Sequence, residues 1–133
     1  MSGVLVQKDK TGDKSLSDHI KSYIKIKNKK PGNVFLGVVH RIDRPTSGVI
    51  VFAKTSKALS RLNKQFVDRK VNKKYLAITN NTNCLNSNKL ENWIIKNTKQ
   101  NKSYIHSSPI PGSKIAILRY SLVKKLKNYS LLE

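Results

Sequence analysis

The sequence predicts an α+β domain with a mixed, mainly antiparallel sheet and two helices packed against it, and three observations carry that expectation. Apolar residues recur at helical spacing in two stretches, Leu16-Ile20-Tyr23-Ile24 and Leu59-Leu62-Phe66. Two apolar runs of strand length, Val34 to His40 and Gly48 to Ala53, enclose a polar segment. From Val71 to Thr79 the side chains alternate in the strand sense.

Taken in order, the first helix follows a Gly12-Asp13 turn, with Asp13 or Ser15 available as its N-cap. Lys27, Lys29 and Lys30 follow, and Pro31-Gly32 stops the helix and supplies a loop. The strand Val34 to His40 leads into the polar segment Arg41 to Ser47, which is a loop between two buried elements. After the second strand, Thr55 or Ser56 caps a helix whose apolar face carries Leu59, Leu62 and Phe66 and which ends near Arg69 or Lys70. The alternating strand comes next, then an Asn-rich loop from Asn80 to Lys89 with little to bury. Two more extended segments are expected around Trp93 to Ile95 and from Ile115 to Val123, separated by a loop with Pro109, Pro111 and Gly112. Tyr129 to Glu133 reads as the first half of a further strand.

A chain of 133 residues without a long linker has room for one domain with a moderate core. Lys plus Arg outnumber Asp plus Glu by 27 to 7, a balance of +20 that attracts polyanions. No run approaches the roughly 18 apolar residues of a membrane span, and the opening residues do not read as a signal peptide. A cytoplasmic, membrane-free monomer whose partner is nucleic acid is the expectation, with an anionic membrane surface as the weaker choice. Lys and Asn are both abundant, as in A+T-rich coding, so part of the positive charge reflects composition bias. The lone Cys84 has no disulfide partner, and His19, His40 and His106 are too scattered for a metal motif. No metal and no cofactor are expected.

Asp43 is the sole carboxylate between His19 and Val67, and it stands beside Arg41 and Arg44. A nearby guanidinium would keep such a carboxylate ionised and aimed, as a nucleophile or base requires. The alternative is a structural ion pair with the same arginines.

The segment His40-Arg41-Ile42-Asp43-Arg44-Pro45-Thr46-Ser47-Gly48, followed by an apolar strand and Ala53-Lys54, resembles the signature loop of the RluA family of pseudouridine synthases. Lys74-Tyr75-Leu76-Ala77 is similar to the family's second motif at a fitting spacing. The resemblance implies a pseudouridine-synthase-like catalytic core, incomplete in residues 1–133. The family's first strand and its C-terminal portion, with a Thr-Gly-Arg stretch followed by His-Gln and another Arg, do not occur in the sequence. It further implies cofactor-free isomerisation of uridine in ribosomal or transfer RNA, with Asp43 as catalytic residue and Tyr75 against the target uracil. Arg41 is the residue assigned by resemblance to the gap left by a flipped-out base. Arg44, Lys54, Lys73 and Lys74 are the further candidates for RNA contact, through phosphates. A non-catalytic RNA-binding remnant of such an enzyme is the alternative function. Trp93, Tyr104 and Tyr120 are candidates for base stacking or for core packing.

Overall fold

The computed structural model describes residues 3–80 and 84–133. Its internal contacts divide into two compact units, Met1–Asn72 and Lys73–Glu133, where chain length suggests one. The first unit contains α1 (Leu16–Lys27), β1 (Gly37–Val38), β2 (Phe52–Ala53) and α2 (Ser56–Val67). The second contains β3 (Ala77–Asn80), β4 (Ser87–Asn97), β5 (Lys102–His106), β6 (Lys114–Lys125) and β7 (Tyr129–Leu132). The class is α+β. Every strand pair among the described residues is antiparallel, so the parallel component of the expected mixed sheet is not formed. Both helices belong to the first unit, and α2 packs on the two-stranded β1–β2 sheet.

Helix α1 starts where its sequence allows all of its first donors to be met. Ser15 is the N-cap; its hydroxyl accepts from the Asp18 amide while the Asp18 carboxylate accepts from the Ser15 amide, a reciprocal capping box. Leu16 and Ser17 donate backwards to the carbonyls of Leu5 and Val6, tying the helix start to the N-terminal segment. Helix α2 is capped by Thr55, whose hydroxyl accepts from the Ala58 amide at 3.1 Å.

The two helices end alike. After α1, Lys29 donates to Ile26 and Lys30 to Lys25; after α2, Arg69 donates to Phe66 and Lys70 to Gln65. These are Schellman closures, and each places a long basic residue at positive φ, Lys29 at 47° and Arg69 at 55°, where glycine is the usual occupant. The helix stop therefore lies in this backbone turn, before Pro31-Gly32 is reached.

Glycine at position 37 permits a close approach. A Cβ there would stand 2.8 and 2.9 Å from the two Leu59 methyl carbons and 3.1 Å from the Leu59 Cβ, so the absence of a side chain lets α2 settle on β1. The buried apolar side chains of the described residues are Val6, Leu36 and Ala53, all in this unit. Leu36 and Ala53 belong to the two expected strands, but those strands are far shorter than the apolar runs. Regular pairing is confined to Gly37↔Ala53 and Val38↔Phe52. Val49 is 87% exposed: an apolar run alone does not make a strand when no partner backbone lies beside it.

In the second unit the strand order is β3-β7-β6-β4-β5. The expected segment around Trp93 to Ile95 lies in the C-terminal half of a much longer β4, which pairs with β6 from Ser87↔Ser121 through Ile94↔Lys114. The Asn-rich loop expected up to Lys89 thus ends sooner, at Ser87; its residues 81–83 lie outside the described residues. Strand β5 has no counterpart in the sequence reading. It forms a hairpin with β4 through Trp93↔His106 to Asn97↔Lys102, closed by Gln100, whose amide donates to the Asn97 side chain at 3.1 Å. The alternating strand expected from Val71 is ordered into the sheet only from Ala77, and β7 forms as expected at Tyr129–Leu132. A bulge between Leu122 and Lys124 interrupts the β6–β7 pairing, and the Ser121 and Glu133 backbones exchange two hydrogen bonds of 2.9 Å beyond it.

Candidate active site

The loop between β1 and β2 remains on the surface because Arg41, Asp43, Arg44 and Ser47 have nothing to gain from burial. Its shape is nevertheless set at several points. The Asp43 carbonyl accepts the Thr46 amide at 2.9 Å, making a turn across Arg44-Pro45 in which proline has no donor to satisfy. Arg44 and Gly3 are joined twice: the Gly3 amide donates to the Arg44 carbonyl at 2.7 Å, and the Arg44 Nε donates to the Gly3 carbonyl at 2.9 Å. The remaining guanidinium edge meets Asp13 at 2.9 Å. At the base of the loop, the Val51 amide donates to the His40 Nε2 at 3.1 Å.

These contacts bear on the two readings of Asp43. One of the two arginines that could neutralise it, Arg44, is engaged elsewhere, with its Nε on a carbonyl and its Nη2 on Asp13. Among the described residues, the Asp43 carboxylate has no ion-pair partner, and it is exposed. A carboxylate on a braced turn with its oxygens free is able to attack or to accept a proton. Arg41 is likewise exposed and, among the described residues, outside any ion pair.

The other candidate residues are distributed over both units. Lys54 follows β2 in the first unit and lines a groove of about 330 Å³ with Ile20, Tyr23, Ile24, Leu36 and Phe52. Lys73, Lys74 and Tyr75 open the second unit, ahead of β3. Tyr75 is 52% exposed, and the Lys74 ammonium is paired with the Glu133 carboxylate at 2.7 Å. Of the aromatic candidates, Trp93 and Tyr120 are half-buried in the sheet, whereas Tyr104 is exposed and its hydroxyl donates to the Gln100 side chain at 2.6 Å. Among the described residues no three His, Cys, Asp or Glu side chains gather as a metal site would require, and no helix is long and apolar enough to cross a membrane.

The sequence places His40 at the head of the signature segment and outside any metal motif, and gives no sign of its contact with Val51. Nor does it signal that Gly3 and Asp13 hold Arg44. Strand spacing places His40 and Val51 near one another once β1 and β2 are paired, but only the folded backbone presents the unpaired amide to the ring.

The family model for RNA pseudouridylate synthase matches residues 1–133. The chain belongs to the RNA pseudouridylate synthase family. Curated relatives agree with the RluA type expected from the signature loop. A ribosomal large subunit pseudouridine synthase D from Borreliella burgdorferi is 37% identical over 114 residues, covering 86% of this chain and 34% of that protein. A ribosomal large subunit pseudouridine synthase C from Buchnera aphidicola subsp. Schizaphis graminum is 41% identical over 73 residues, covering 55% of this chain and 23% of that protein. This family member therefore spans about a quarter to a third of the length of those relatives. The fold agrees as well: the solved structure of human RNA pseudouridylate synthase domain containing 4 superposes with a TM-score of 0.78 at 20% identity, covering 99% of this chain and 51% of that one.

Proposed function

We propose that this chain supplies the Asp43 loop and the Tyr75 segment of an RNA pseudouridine synthase acting, as a monomer in the cytoplasm, on uridines of ribosomal or transfer RNA. The observation that carries this reading is the unpaired, exposed Asp43 carboxylate on a loop braced by Arg44, Gly3 and Asp13. The reaction breaks the N-glycosidic bond, rotates the uracil and joins its C5 to the ribose carbon. It requires a carboxylate to attack or to deprotonate the nucleoside, a wall that keeps the detached base, and exclusion of water from the intermediate. Asp43 is assigned as the nucleophile and the Tyr75 ring as the wall.

A stacked uridine has to leave its helix before either group can reach it. Arg41 has a long cationic side chain three residues before Arg44 and, among the described residues, no ion-pair partner, which suits it to the vacated space. Lys54 and Lys73 are assigned to phosphate contacts. The engaged partners of Arg44 and Lys74 suggest that these two act by shaping the loop and the strand entry as much as by touching RNA.

The name of the Borreliella and Buchnera relatives favours ribosomal RNA of the large subunit as the substrate class. The test is tritium release from C5-labelled uridine in bulk cellular RNA, using the longest in-frame protein that contains this chain beside its Asp43→Ala and Asp43→Asn variants. Release by the wild type alone, with RNA binding retained in both variants, is the expected result. RNA binding without release by any of the three would establish the non-catalytic RNA-binding alternative.

A further inference from the structure

We propose that His40 is the positioning residue of the Asp43 loop, joining its two ends through one hydrogen bond and fixing them to α2 through one ring stack. This inference rests on the reading of Asp43 as the reacting carboxylate. Ladder pairing between β1 and β2 stops at Val38↔Phe52. Val51 is the next residue back along the second strand, and its amide donates to the His40 Nε2 at 3.1 Å. A side chain thus replaces a backbone acceptor at the point where the two strands separate. Because Nε2 accepts a hydrogen bond it carries no proton, so the ring proton of the neutral imidazole sits on Nδ1.

The ring is not free to turn away from this task. It stacks on Phe66 with centroids 5.3 Å apart and planes inclined by 20°. Phe66 belongs to the last turn of α2, the helix that packs on β1 and β2, so the base of the loop is referred to a rigid element. Asp43 lies three residues beyond His40, and the turn between Asp43 and Thr46 and the Gly3–Arg44 pair brace the loop further out. Without the His40 contact the base of the loop would rest on the two-pair β1–β2 ladder alone, and the loop would be free to shift beyond Val38 and Phe52.

Histidine combines two properties that other side chains offer singly. Phenylalanine would stack without accepting, and glutamine would accept without an aromatic face. That separation makes the proposal testable. In the longest in-frame protein containing this chain, His40→Phe is expected to lower kcat by about 10- to 100-fold while leaving KM for RNA within about threefold, the signature of lost positioning in the transition state. His40→Gln should recover part of kcat. In the 133-residue chain itself, the Val51 amide should exchange with solvent about five- to tenfold faster in His40→Phe than in the wild type.

Nitrogen NMR of the wild-type chain provides a check that needs no variant: the Nδ1–H tautomer of His40 is expected, and an Nε2–H tautomer would overturn the proposal. Unchanged Val51 exchange or unchanged kcat in His40→Phe would overturn it equally. Turnover retained by Asp43→Asn would instead sink the assignment of Asp43, and in that case the exchange and tautomer measurements alone decide whether His40 joins the loop ends.

Discussion

Ser15 is fully buried although it is a small polar residue, because its hydroxyl is shared among the Asp18 amide, the Asp18 carboxylate and the Ser17 hydroxyl. Replacing it with alanine removes the side-chain half of the capping box, and Ser15→Ala is expected to lower unfolding stability by about 1 kcal/mol in a denaturant titration. The same contacts hold the Asp18 carboxyl below its ordinary pKa of 3.8, first through the Ser15 hydroxyl and then through the Ser15 amide. A depressed carboxylate contributes stability above its unfolded pKa and loses it as pH falls through the folded value. Thermal stability should therefore decline on acidification below about pH 4, and Asp18→Asn should flatten that part of the profile. A profile unaltered by Asp18→Asn would remove the capping box from the account. The cap itself was legible, since serine before an apolar periodic stretch is a local signal; the choice between Asp13 and Ser15 was settled by which one meets the helix amides. Asp43 was legible as an isolated acid in a basic segment; among the described residues it pairs with neither neighbouring arginine, Arg44 being occupied by Gly3 and Asp13.

Among the elements, the contact of α2 with β1 depends on having no side chain at position 37. Leu59 would have to move by several tenths of an ångström to admit even a methyl group, and its Cβ cannot swing aside as its terminal carbons can. Gly37→Ala should destabilise the first unit by about 1 to 3 kcal/mol, read as a lower midpoint of urea unfolding. A shift smaller than the error of that measurement would mean that the helix relaxes freely away from the strand. Helices were easier to read than strands for a physical reason: their hydrogen bonds are made within the segment, so the period and the caps are both local. A strand has to find its partner elsewhere. Strand β5 is short and mostly polar, and it exists because β4 offers a backbone edge and apolar pairs such as Ile94↔Ile105. The apolar runs before and after the Asp43 loop are stronger strand signals in sequence, yet they pair for two residue pairs only.

For the whole molecule the dominant property is the charge of +20, which no arrangement of the backbone can cancel. If about five lysines and arginines meet phosphates, the log–log dependence of RNA affinity on salt should have a slope magnitude of roughly 3 to 4. A slope near zero would show that the charge is solvated surface and that RNA is held otherwise. Arg41, Lys54 and Lys73 are the first residues whose replacement should reduce that slope. The sequence by itself determined the polyanion-directed charge, the α+β class, both helices with two cap candidates each, and the nine-residue loop from His40 to Gly48 that carries the family resemblance. All of these are properties of composition or of residues close together along the chain. Tertiary structure alone decided that the strands of the described residues pair antiparallel, that β4 extends through a polar stretch, that Arg44 turns to Asp13, and that the Val51 amide finds the His40 ring. Each of those depends on a partner 11 or more residues away, and a backbone donor or a guanidinium is satisfied by whichever acceptor the folded chain brings within reach.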